Sequence, residues 1–223
     1  MKIGFYTVGH DAAADHYRCA ALLIASIRRA MPGVPIAQFT DTHSLACAGI
    51  DEVHRLAPQP MSLMRPDHYR RQVGDWLFLD TDILVRGDVA HVFKQKFDVA
   101  FADRNWVHME PTPKLTAKMP YNVGVAFSRS PAFWEATFAA VQGVEKWQTS
   151  FMGDQLGAAV AAGWHKGARR SHPFKVLELP GMIYNYPPSG PVDPGMNDAL
   201  IVHFKGPRKP WMLDPTGPRK GRR

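Results

Sequence analysis

The chain has 223 residues, 45% of them hydrophobic, and its 27 Lys and Arg outweigh 20 Asp and Glu for a formal charge of +7. That is enough apolar material for one substantial core, and no linker-like segment divides it. The charge draws anions, whether nucleotide phosphate, nucleic acid or the inner face of a membrane, and does not choose among them.

The opening MKIGFYTVGHDAAAD meets an acidic residue before a signal-like core is complete, so it reads as a first strand. The apolar run CAALLIASI, framed by Arg18 and Arg28, is far too short for a bilayer core about 30 Å thick, and no transmembrane span is expected. Cys19 and Cys47 allow at most one bridge. Cys19 falls in an amphipathic helical pattern where a small core side chain fits, which points to a reducing cytoplasm.

Strand-like runs follow in order: KIGFYTV, VPIAQFT, DEVHRLA, DWLFLD, FDVAFAD, YNVGVAFS, KVLELP and ALIVHF. DHYRCAALLIASIRRA, SPAFWEATFAAVQGV and FMGDQLGAAVAAG space their apolar residues as helices do. Alternating strands and helices in the first half predict a parallel, doubly wound sheet; the less regular second half predicts a mixed one, in an α/β fold. Trp106–Pro120 reads as a surface loop, and GPRKGRR, residues 217–223, as a solvated tail.

Within the strand-like run DWLFLDTDILV, Asp80 and Asp82 are separated only by Thr81. Ionised carboxylates in a core need a positive partner. Residues two apart on a strand share a side, so both could face one hard cation, Mg²⁺ or Mn²⁺, if the strand ends or bends there. The bland alternative is that they cap a turn or pair with Arg86. Ligands of open α/β sheets gather at the carboxyl ends of the strands, where Asp80 falls.

Haloacid-dehalogenase phosphatases also place Asp-x-Asp after an apolar strand. Theirs lies near the start of the chain and continues with Thr or Val at the position of Leu84, so that reading is the weaker alternative. Downstream, IVHFKGPRKPW supplies His203, Gly206 for close backbone approach, and Lys205, Arg208 and Lys209 for phosphate. Neutral imidazole suits Mn²⁺ beside carboxylates.

In order, FLDTDILV, YNVGVAFS, GDQLG and HFKGPRKPW resemble the signatures of glycosyltransferase family 8, the group of glycogenin and the bacterial lipopolysaccharide galactosyltransferases. The resemblance runs from about Lys2 to Trp211 and is strongest in the last motif. It implies a GT-A fold over residues 1–216, a Rossmann-like mixed sheet flanked by helices. It further implies a retaining transferase moving glucose or galactose from a UDP-sugar to a glycan or other hydroxyl acceptor, with Mn²⁺ or Mg²⁺ held by Asp80, Asp82 and His203.

Carried over residue by residue, the same resemblance puts Gly206 and Lys209 on the diphosphate, Asp103, Asn122 and Gly124 in the donor-sugar pocket, and Asp154 and Gln155 beside the anomeric carbon. Thr7 and Val8, with Phe5 and Tyr6, offer contacts to the base, Asp41 is a candidate for base or ribose, and Thr81 lies between the metal ligands. An upstream Arg that reaches the donor is expected; Arg65 is preferred over Arg70 and Arg71. A nucleotide-sugar binding protein without transfer is the rival, though UDP binding alone does not need Asp103, Asn122, Asp154 and Gln155. Nucleic acid is not expected as a partner, because aromatic residues are not interleaved with the basic ones. The basic tail is expected to solubilise the end of the chain, or to draw the protein weakly to an anionic membrane face or a phosphorylated glycan; the acceptor is expected to be a glycan or lipid-linked.

Overall fold

The computed structural model describes residues 1–104, 119–143, 152–165 and 168–216. The tail 217–223 and all but the last two residues of the expected loop Trp106–Pro120 lie outside them. In chain order the elements are β1 (Lys2–Tyr6), α1 (Asp15–Ala30), β2 (Ile36–Asp41), β3 (Glu52–Leu56), α2 (Met61–Tyr69), β4 (Trp76–Leu79), β5 (Ile83–Val85), β6 (Val99–Asp103) and β7 (Tyr121–Ser128). There follow α3 (Pro131–Gln142), α4 (Gly153–Ala161), β8 (Trp164–His165), β9 (Ala168–Arg169), β10 (Val176–Leu179), α5 (Gly181–Tyr184), β11 (Ile201–His203) and α6 (Lys209–Leu213). All eight strand-like runs form strands and all three helical patterns form helices.

Seven strands make one sheet in the order β10-β6-β7-β4-β1-β2-β3. β7 runs antiparallel to both neighbours, while the other pairs are parallel, as a mixed α/β sheet requires. Alternation along the strands splits the core between its faces. Ile3, Phe5, Leu77, Leu79, Val125 and Phe127 pack with Leu23, Ile24 and Ile27 of α1 on one face. On the other, Phe39, Trp76, Phe78 and Phe101 pack with Met64 and Tyr69 of α2, Phe133 and Trp134 of α3, and Ala158 of α4.

The run DWLFLDTDILV ends its first strand next to Asp80, the last residue of the expected strand DWLFLD, and then forms a second. β4 stops at Leu79, and β5 leaves the main sheet to pair antiparallel with β11. The break is where the two carboxylates sit: the Asp80 N–H still donates to the Gly124 carbonyl on β7, and the Asp82 carbonyl accepts from the Phe204 N–H beyond β11, each at 2.8 Å. The chain crosses between two sheets there, and both acidic side chains emerge at the edge of each.

Candidate active site

Five strand or helix ends converge on one cavity of about 480 Å³. β1 delivers Thr7 and Val8, the β4–β5 crossing Asp80, Thr81 and Asp82, and β7 Asn122 and Gly124; α4 delivers Asp154 and Gln155, and the end of β11 with the segment after it His203, Gly206 and Lys209. Arg65 enters from α2. Asp103 is not brought to the wall: at the end of β6, its Oδ1 accepts the Gly181 N–H at 3.2 Å.

Asp80, Asp82 and His203 each offer a ligand atom within 4.8 Å of the others. His203 Nε2 lies 3.2 Å from Asp82 Oδ1 and 3.6 Å from Asp80 Oδ2. Burial raises the Asp82 pKa, but His203 and Lys209, whose Nζ is 3.2 Å from Oδ2, outweigh it and hold the carboxyl well below its ordinary range. Arg86, the alternative partner, instead reaches Asn197 at 3.4 Å.

Gly124 makes room for this cluster. A Cβ there would collide with Asp80 Oδ2 and lie 2.6 Å from His203 Cε1 and 2.7 Å from Asn122 Oδ1. Asn122 Oδ1 accepts the Gly124 N–H at 2.8 Å, fixing the backbone under the carboxylates. Two carboxylates and an imidazole, with space preserved around them, fit a divalent cation. Gly206, at φ +62 with nothing within 4 Å of a Cβ position, presents an open left-handed turn beside Lys209.

Arg65 links the metal-type cluster to the start of α4. Its guanidinium sits 2.8 Å from Asp80 Oδ1 and 2.8 Å from Asp154 Oδ2. Burial works against its charge, but the two carboxylates more than restore it and push its pKa above the usual value. Asp154 shows the reverse balance: burial keeps its pKa raised although Arg65 opposes it. Arg70 and Arg71 pair with Asp67, Arg70 also with Glu135, and neither lines the cavity.

Five side chains not singled out in the sequence also line the wall: His16, Met61, Arg104, Val123 and Pro207. Arg104 Nη2 donates to Gln155 Oε1 at 2.5 Å, so a second buried cation orients the amide beside Asp154. Asp103 drew attention in its place. A register shift between Phe101 and Asp103 breaks the strict alternation at that strand end, which period-2 reasoning does not foresee.

No family model matches the chain, and no curated protein matches it in sequence. Solved structures do. The galactosyltransferase LgtC, determined in complex with donor and acceptor sugar analogues, is 15% identical with a TM-score of 0.61, over 95% of this chain and 89% of that one. The fold is that of the GT-A glycosyltransferases.

GlyE of Streptococcus pneumoniae TIGR4 shares the GT-A fold at 15% identity and a TM-score of 0.64, over 94% of this chain and 55% of its own, so this chain spans about half its length. A glycosyltransferase involved in glycosylation of the major capsid of PBCV-1 gives 12% identity and a TM-score of 0.57, over 95% and 98% of the two chains. The described part of this GT-A chain contains no helix long and apolar enough to cross a membrane, and both cysteines are free thiols.

Proposed function

We propose that the protein is a metal-dependent, retaining glycosyltransferase that moves glucose or galactose from a UDP-sugar to a hydroxyl of a glycan or lipid-linked acceptor. The observation that carries this is the meeting of Asp80, Asp82 and His203 with Lys209 and Gly206 in one cavity of a GT-A fold. LgtC was solved with donor and acceptor sugar analogues, and another LgtC structure, 16% identical to this chain, is an active-site variant with glutamine changed to glutamate. That variant supports a working role for Gln155.

Asp80, Asp82 and His203 hold the divalent cation in this reading. The chemistry a bound cation supplies is neutralisation of the diphosphate as it departs with the electrons of the glycosidic bond. Lys209 and the open Gly206 turn hold the same phosphates from the protein side. Thr7 and Val8 line the base end.

Gln155 and Asp154 face the sugar end. Arg65 pairs with Asp154 and fixes its position, and the paired carboxylate serves as an electrostatic partner for a cationic anomeric centre rather than as the attacking group. Retention then follows from attack on the face that the diphosphate leaves, the acceptor oxygen bonding to C1 and its proton passing to the departing phosphate oxygen. Mass spectrometry of protein incubated with donor alone should show no glycosyl adduct on Asp154; an adduct there would establish double displacement. Incubation with UDP-glucose or UDP-galactose should release UDP only when Mn²⁺ or Mg²⁺ is present, and release unaffected by chelator would overturn the reading.

A further inference from the structure

Asn185 follows α5 and is completely buried. Its N–H donates to the Gly181 carbonyl at 2.9 Å. The next residue is stitched to β11 twice: the Tyr186 N–H donates to Ile201 at 3.0 Å, and the Tyr186 carbonyl accepts the His203 N–H at 2.8 Å. Backbone bonds on both sides therefore hold Asn185 alongside His203.

Its side chain is used on one side only. Oδ1 lies 2.8 Å from His203 Nδ1, while Nδ2 is buried with no hydrogen-bond partner among the described residues. Burying an unsatisfied amide N–H destabilises a fold, and an apolar residue of similar size would avoid that cost. What an apolar residue could not supply is the oxygen. An acceptor at Nδ1 keeps the proton on that nitrogen, and the Nε2 lone pair is then free on the ring edge that faces Asp80 and Asp82. The opposite tautomer would point an N–H at the two carboxylates and close that ligand position.

We propose that Asn185 is the positioning residue that holds His203 in its Nδ1–H tautomer and so presents Nε2 to the divalent cation, a role that rests on the metal reading above. Outer partners of this kind orient ligating histidines and raise their basicity.

The test is Mn²⁺ affinity of the full chain, read from the electron paramagnetic resonance signal of free Mn²⁺ without any donor, for wild type, Asn185→Asp and Asn185→Leu. Asn185→Asp keeps an acceptor in place and should bind within about threefold of wild type, whereas Asn185→Leu should bind about 10–100-fold more weakly. Leu binding as tightly as wild type, or Asp binding as weakly as Leu, would overturn the role of Asn185 alone. Wild type that takes up no Mn²⁺ would overturn the metal site itself. A second measurement needs no variant: the ring ¹⁵N shifts of His203 in Zn²⁺-loaded wild type should show a protonated Nδ1, and a protonated Nε2 would refute the proposal.

Discussion

Asp82 is where the charges of the cavity converge, with His203 on one oxygen and Lys209 on the other. Asp82→Ala should leave the sheet intact, because the bond from the Phe204 N–H to the Asp82 carbonyl is a main-chain one, and should cut metal-dependent UDP release by about 10²-fold or more. Release near the wild-type rate would remove the carboxylate pair from the account. Gly124→Ala tests the same cluster from below. The added methyl collides with Asp80 and crowds His203, so Mn²⁺ affinity should fall by about 10-fold or more, and an unchanged affinity would show that the ligand atoms lie elsewhere. The pairing of Asp80 with Asp82 was legible in the chain because both belong to one short segment. Asn185 was not, since it is buried against a histidine 18 residues away that only the fold brings beside it.

At the scale of the element, α2 decides how the cavity is balanced. Nothing in MSLMRPDHY announces a helix: Pro66 lies inside it, lacks the N–H that would bond the preceding turn, and interrupts the apolar spacing. Packing overrides propensity, as Met64 and Tyr69 are buried and the Tyr69 ring stacks on Phe78 of β4 at 3.7 Å between centroids. Arg65, preferred over Arg70 and Arg71, lines the cavity, and its bridging of two carboxylates depends on a helix that the apolar pattern does not show. Arg65→Met should leave Asp154 without its ion-pair partner and Asp80 with His203 alone, and destabilise the fold by about 3–5 kcal/mol in metal-free urea unfolding. A loss under about 1 kcal/mol would contradict the bridge. The eight strands were legible because each is an apolar run bounded by polar or turn residues; the switch between β4 and β5 was not, because apolar continuity carries no sign of which sheet a residue joins.

Across the whole molecule, α2 also ties stability to pH. His68 is buried with Nε2–H donating to the Thr40 carbonyl at 3.0 Å, and burial pushes its pKa from the usual 6.5 down to about 4, the carbonyl opposing that shift. Between those two values the unfolded chain takes up a proton that the folded protein refuses. Stability contributed by neutral His68 is thus complete above pH 6.5 and is lost as pH falls towards 4, by on the order of 3 kcal/mol in total. Urea midpoints of wild type should drop more steeply over this window than those of His68→Gln, and parallel slopes would contradict a buried neutral imidazole. The fold and the cavity belong together at this scale, since the sheet edge, the β4–β5 crossing and the segment after β11 must all be in place before any phosphate finds Lys209 and Gly206. The measurement that tests this most directly is calorimetric titration of UDP into the full chain with Mn²⁺ and then with chelator. Binding that appears with Mn²⁺ and vanishes with chelator is the expected result; binding that chelator leaves unchanged, or no binding in either condition, would contradict a nucleotide held through Asp80, Asp82 and His203.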